Sequence, residues 1–295
     1  MPPVTIYHYD AFSRIPNQGN PAGVVFDAQA LTAEDMQRIA AEVGFNETVF
    51  VLPSNQATVQ LTYYTPGHEI NLCGHATMAA VYGLKTRGML GGENHITIET
   101  NVGILPISME EDHQGDILIT MKQDTPKFIP FQGDRTALAV SIGIDVDELD
   151  GELPILYGST GTWTLLVPVR RLSAFQKMKP YNDRFPGILL ENPKASLHPF
   201  CMETLDQEAF MHARHFSSPY SGTIEDPVTG TASGVMGAYY LAYMRPDLKN
   251  AEFVIEQGQE MGRDGRVKVQ VERSDQGQWD VRISGTAVYV KKWSI

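Results

Sequence analysis

Short apolar or alternating runs, bounded by glycine and proline, recur along the whole chain. In the first half, runs at 4–12, 22–26, 48–52, 58–64, 95–100, 104–109 and 117–121 predict strands, several of them rich in β-branched and aromatic residues. In the second half, the same pattern predicts strands at 155–157, 162–169, 188–191, 197–204, 210–216, 252–256, 267–272, 279–284 and 287–291. Helical periodicity is confined to four segments. In 32–43, Met36, Ile39, Ala40 and Val43 fall at i, i+3, i+4 and i+7, with Thr32 at the N-cap and Gly44 closing the helix. A shorter amphipathic helix is predicted at 135–142.

The other two helices are of a different kind. Segments 75–85 (HATMAAVYGLK) and 231–243 (TASGVMGAYYLAY) are small or apolar on nearly every face. A helix with no polar face is buried rather than laid on a surface. Each opens behind a glycine, Gly74 and Gly230. Each follows a proline-containing loop, Tyr64-Thr65-Pro66 before Cys73-Gly74-His75 and Ser217-Ser218-Pro219 before Thr229-Gly230-Thr231. Two buried helices about 155 positions apart, each among many strands, point to a duplicated unit.

Composition narrows the function classes. A length of 295 residues gives a prior of two domains. With 23 Lys+Arg against 35 Asp+Glu the net charge is −12, which leaves no cationic footprint for nucleic acid. Two cysteines, Cys73 and Cys201, exclude a disulfide framework and a cysteine-only four-ligand metal site. The N-terminal residues show no secretory pattern and no run reaches the ~18 apolar residues of a membrane helix, so the expectation is a cytoplasmic protein without membrane association. There is no G-x-G-x-x-G, Walker A, G-x-S-x-G or H-E-x-x-H motif. His212 and His215 lie three apart on a predicted strand and so face opposite sides. No metal and no cofactor is expected.

Candidate chemistry gathers at the two helix openings. A helix N-terminus carries unpaired N–H groups and partial positive charge, and glycine lets a ligand approach the backbone. Two such termini would bind a small anion, most simply a carboxylate. The structural alternative is that Gly74 and Gly230 serve turn geometry and Thr231 merely caps. Asp226, in Glu225-Asp226-Pro227, would orient a substrate amine or hydroxyl, or complement a helix dipole. Glu47 stands where the first helix has ended and an apolar strand begins. A carboxylate among apolar neighbours has a raised pKa and suits general acid–base work, whereas an edge-strand glutamate would sit in water. His75 would donate a hydrogen bond or relay a proton, or simply cap the helix. Cys73 would have its thiol pKa lowered by the helix terminus, or be a small buried residue.

Six segments in order resemble the phenazine-biosynthesis isomerase (PhzF-like) family over essentially the whole chain. They are Gly19-Asn20-Pro21-Ala22-Gly23-Val24, Asn46-Glu47-Thr48, Cys73-Gly74-His75-Ala76-Thr77, Glu225-Asp226-Pro227-Val228-Thr229-Gly230, Gly262-Arg263-Asp264-Gly265 and Ile283-Ser284-Gly285-Thr286-Ala287. The resemblance implies an α/β (α+β) fold of two pseudo-symmetric diaminopimelate epimerase-like domains. Each would be a curled, mostly antiparallel sheet around a central helix, divided as 1–125 plus 284–295 and 126–283. It also implies an active site in an interdomain cleft and a homodimer. By residue, it places Glu47 at the family's proton-transferring glutamate and His75 and Asp226 at its histidine and aspartate. Gly74, Gly230 and Thr231 fall at its substrate-binding helix starts. Thr231 replaces a frequent serine. The related epimerases use two thiols, of which only Cys73 is in place, the second position being Thr229.

The expected function is a cofactor-independent isomerase that moves a proton between carbons of a small carboxylate-bearing metabolite. Glu47 would be general acid and base, with His75 and Asp226 assisting. Cys73, Gly74, Gly230 and Thr231 would bind substrate. Two other classes remain open at this point: a non-catalytic metabolite-binding protein and a single-thiol epimerase using Cys73.

Overall fold

The computed structural model describes residues 3–295. It is a mixed α+β protein that divides into two compact units. One comprises the chain up to Lys122 together with Ser284–Ile295, and the other Gln123–Ile283.

The first unit is a curled sheet wrapped on a buried helix. Its elements in order are β1 (Thr5–Ala11), β2 (Asn20–Val25), α1 (Ala33–Val43), β3 (Glu47–Leu52), β4 (Val59–Tyr64), β5 (Glu69–Ile70), α2 (Gly74–Thr86), β6 (His95–Thr100), β7 (Gly103–Glu111) and β8 (Ile117–Lys122). The C-terminal strand Ala287–Ser294 pairs antiparallel with β1. From there the sheet runs β1–β2 antiparallel, β2–β3 parallel and β3–β4 antiparallel. It continues β4–β6 parallel, then β6–β7 and β7–β8 antiparallel.

Helix α1 begins and ends where its sequence signals lie. Thr32 Oγ1 accepts from Asp35 N–H at 3.2 Å and the Asp35 carboxylate accepts from Thr32 N–H at 3.2 Å, a reciprocal capping box. Gly44 closes it at φ 72°. Met36, Ile39 and Ala40 of α1 pack on Ile6, Val25, Phe50 and Tyr64. That covers one face of the sheet. Helix α2 covers the other, packing against β1, β2, β3, β8 and the C-terminal strand. Nine of its thirteen residues are buried, which the lack of a polar face requires. Small residues let the strands close in: a Cβ on Gly83 would lie 2.5 Å from Phe26 Cζ.

The second unit contains β9 (Lys127–Pro130), α3 (Arg135–Ser141), β10 (Leu156–Ser159), β11 (Trp163–Pro168), α4 (Phe185–Ile188), β12 (Ser196–Cys201), β13 (Met211–Ala213), α5 (Gly230–Tyr239), β14 (Asn250–Gln257) and β15 (Gly265–Arg273). Strands β9–β10, β10–β11, β12–β13 and β14–β15 pair antiparallel, and β11–β12 and β13–β14 parallel. Helix α5 packs against β10 and β15 with nine of its ten residues buried. A single π-turn, Tyr240–Met244, continues it. On the other side of this sheet Leu138, Phe175, Phe185 and Leu197 build a core with Tyr157 and Phe216.

Two strand expectations fail locally. Segment 188–191 is the end of α4 and the turn after it: Ile188 closes the helix, Leu189 is buried with its N–H bonding Phe185 O at 2.8 Å, and Leu190 is exposed. Pro186 and Pro193 bracket the run and leave no room for a ladder. In 210–216 only Met211–Ala213 forms a strand, with Phe216 bridged singly to Leu197 and Glu225. Among the described residues no helix is long and apolar enough to cross a membrane.

Candidate functional site

Glu47 is the first residue of β3, paired with Ala22 on β2. Side chains alternate along a strand, and Phe50 packs into the α1 core, so Glu47, Val49 and Val51 face α2. The αL turn at Gly44 redirects the chain from α1 into this strand. Glu47 thereby meets the opening turn of α2. Its Oε2 lies 3.1 Å from His75 Nε2, with the side chains 18% and 8% exposed. The other ring nitrogen, Nδ1, is 3.2 Å from Asn20 Nδ2 and 3.4 Å from Cys73 Sγ. One ligand atom from each of Glu47, Cys73 and His75 falls within 4.8 Å of the others.

Cys73 is the N-cap of α2 in extended conformation, φ −139°, without a side-chain cap bond. Its carbonyl accepts from Thr77 N–H at 3.0 Å and from Thr77 Oγ1 at 2.7 Å. Since Thr77 Oγ1 donates there, Tyr63 O–H is the donor in the 2.7 Å contact between the two hydroxyls. This chain from β4 pins the helix opening. A Cβ built on Gly74 would meet nothing within 4 Å, so the terminus has open space beside it. The first N–H groups of a helix have no intrahelical partner and favour an anion there.

The electrostatics divide the labour. Burial pushes the Cys73 thiol up and the neighbouring Glu47 adds to that, against an opposing pull from His75. The helix terminus was expected to lower it. Burial wins because the Sγ is enclosed and faces a carboxylate. Burial alone would lower His75, but the acidic groups of Cys73 and Glu47 outweigh it and raise its pKa well above the usual histidine range.

The second unit presents its own helix start. Asp226 Oδ2 accepts from Thr229 Oγ1, and Asp226 N–H bonds His215 O at 2.9 Å. Gln257, fully buried at the end of β14, donates to Asp226 O at 2.8 Å and accepts from Thr229 N–H at 3.2 Å. Arg214 clamps the preceding Glu225 through two bonds of 2.8 and 2.7 Å. Gly230 opens α5, and the Thr231 carbonyl accepts from Thr160 Oγ1 at 3.0 Å.

The named residues therefore form two groups. Glu47, Cys73, Gly74 and His75 stand together in the first unit, and Asp226, Gly230 and Thr231 occupy one loop and helix start in the second. Asn20, Tyr63 and Gln257 are the contributors that pattern reading left out. Asn20 lay inside a quoted motif, but its contact with His75 spans 55 positions. His212 and His215 do lie in different surroundings. His212 is held between Glu256 and Glu260, and His215 meets His198 at 3.1 Å. Burial lowers His198 well below its ordinary value and His215 to about 4, so both are neutral.

The family model described as phenazine biosynthesis-like protein matches residues 9–292. A Bacillus subtilis protein named as an uncharacterized isomerase is 49% identical over 289 residues, 98% of this chain and 97% of that protein. The trans-2,3-dihydro-3-hydroxyanthranilate isomerase of Pseudomonas aeruginosa is 28% identical over 277 residues, 94% of this chain and 93% of that protein. The crystal structure of a Bacillus anthracis phenazine biosynthesis protein of the PhzF family superposes with a TM-score of 0.98 at 52% identity, over 100% of this chain and 99% of that one. The chain belongs to the phenazine biosynthesis-like (PhzF) family, whose named relatives are isomerases.

Proposed function

We propose that the protein is a cofactor-independent isomerase that moves a proton between carbons of a small carboxylate-bearing metabolite, with Glu47 as general acid and base. The observation that carries this reading is the buried Glu47–His75 pair, Oε2 to Nε2 3.1 Å, at the opening of a helix with free space beside Gly74. The substrate carboxylate sits at the α2 terminus, where N–H groups and the helix dipole offset its charge and the charge developing at carbon. Glu47 takes the proton from an acidic carbon and returns it to another. His75 holds the Glu47 oxygen in place and supplies a proton where charge develops on oxygen. Cys73 is kept as a thiol by burial, which favours Glu47 over Cys73 as the base. Asp226, Gly230 and Thr231 are a second substrate-binding element in this reading.

The Pseudomonas relative is named for a small cyclic amino acid, which makes cyclic carboxylates the first panel to test. Incubated in heavy water with such a panel, trans-2,3-dihydro-3-hydroxyanthranilate included, the protein is expected to place deuterium on carbon in at least one compound. Tight binding without exchange by any bound compound would overturn isomerisation in favour of a binding protein.

A further inference from the structure

We propose that Cys73, His75 and Glu47 also form a three-ligand site for a thiophilic divalent cation of the zinc class, whose occupancy blocks the proton-transfer group. This rests on the reading of Glu47 only for its consequence. The site itself rests on the geometry.

The donor set is a thiol, an imidazole and a carboxylate, the types that bind zinc, with one position left for water. For bonds of the usual zinc lengths at tetrahedral angles, neighbouring donors stand about 3.3–3.6 Å apart. Here Glu47 Oε2 to His75 Nε2 is 3.1 Å and Cys73 Sγ to His75 Nε2 is 3.9 Å. The thiol lies over the ring, nearer Nδ1 at 3.4 Å, so chelation through Nε2 asks a χ1 adjustment of Cys73. Glu47 Oε2 is buried and makes no well-aligned hydrogen bond, which leaves it available as a ligand. The ligands are held by the start of β3 and the first turn of α2, with Asn20 behind the imidazole.

The other acid–histidine cluster makes the contrast. Glu256 and Glu260 flank His212 on opposite ring nitrogens, so their oxygens do not converge on one point. Among the described residues the Glu47–Cys73–His75 group alone brings three such donors together. Binding releases the Sγ proton and the Nε2 proton to solvent and moves no electrons. Ligation through Oε2 also draws the Glu47 negative charge onto the cation, so the carboxylate is a weaker base toward a substrate carbon.

The test is a Co²⁺ titration of the full chain after chelator treatment, under anaerobic conditions. The expected result is saturable binding of one ion with a thiolate-to-cobalt charge-transfer band, displaced by Zn²⁺. Cys73→Ser should abolish the band and Cys201→Ser should retain it. His75→Asn and Glu47→Gln should each weaken binding at least about tenfold. Circular dichroism checks that each variant is folded. Zn²⁺ should raise the thermal midpoint of the parent but not of Cys73→Ser, a second readout independent of colour. Absence of saturable absorbance, or a band that survives Cys73→Ser, would overturn the site. Deuterium exchange by the metal-free chain does not depend on this outcome, so the two proposals fail separately.

Discussion

Replacing His212 by glutamine should destabilise the protein without touching the Glu47 cluster. The imidazole bonds Glu256 Oε1 at 2.8 Å through Nδ1 and Glu260 Oε1 at 2.9 Å through Nε2, with side chains 0%, 0% and 13% exposed. Burial would lower the histidine, but the two carboxylates outweigh it and raise it, so the ring is an imidazolium. Burial likewise opposes the carboxylates, yet the bonds to His212, joined at Glu256 by the Leu205 and Asp206 N–H groups, bring both below their ordinary value. Gln can donate to one carboxylate and carries no charge. Removing one partner of a buried ion pair costs about 3–5 kcal/mol. Glu256 keeps the Leu205 and Asp206 N–H groups at 2.6 and 3.0 Å, which favours the lower end. At roughly 2–4 °C per kcal/mol for a chain of this size, the thermal midpoint should fall by about 10 °C.

The pH dependence has a definite sign. A raised histidine stabilises fully below its unfolded value near 6.5 and loses that contribution as pH rises through its higher folded value. Lowered carboxylates stabilise above about 4.3 and lose that contribution as pH falls through their folded values. The gap between parent and His212→Gln, read by calorimetry, should therefore be widest between about pH 5 and 6.5 and narrow toward alkaline pH. A midpoint within about 2 °C of the parent, or a gap that widens as pH rises, would refute the argument.

Three further substitutions probe other parts of the account. Thr32→Ala removes the α1 capping box and should cost about 1 kcal/mol in urea unfolding, with no change in proton transfer. Gly83→Ala drives a methyl to 2.5 Å from Phe26 Cζ and should cost about 1–3 kcal/mol by the same assay. Asp226→Asn keeps an oxygen to accept from Thr229 Oγ1, so the melting temperature should hold while kcat/KM falls.

What was legible in the sequence was local chemistry. Thr32, Asp35 and Gly44 marked α1 because capping groups act within one turn. The two apolar helices announced their burial because no face was polar. Strand β9 was missed because Lys127, Ile129 and Pro130 are exposed and only Phe128 is half-buried, so no apolar alternation marks it. The run at 188–191 looked like a strand because its apolar residues fit one, but Ile188 and Leu189 turn inward at the end of α4 while Leu190 points out. At the candidate site, the residue types were visible and their surroundings were not. The Asn20–His75 contact spans 55 positions and the two His212 partners lie 44 and 48 positions away. The Cys73 thiol shows the same limit. Its helix terminus was readable, but the enclosing burial and the facing Glu47 come from the fold and reverse the expected direction.

The measurement that bears most directly on the proposed chemistry is deuterium incorporation from heavy water by the parent and by Glu47→Gln, followed by mass spectrometry on a cyclic carboxylate that the parent exchanges. Glutamine is nearly isosteric with glutamate, so the variant should fold and still bind the compound. The account predicts a fall of at least about 100-fold in exchange, the usual scale for losing a general acid–base group. Exchange by the folded variant at the parent rate would contradict it.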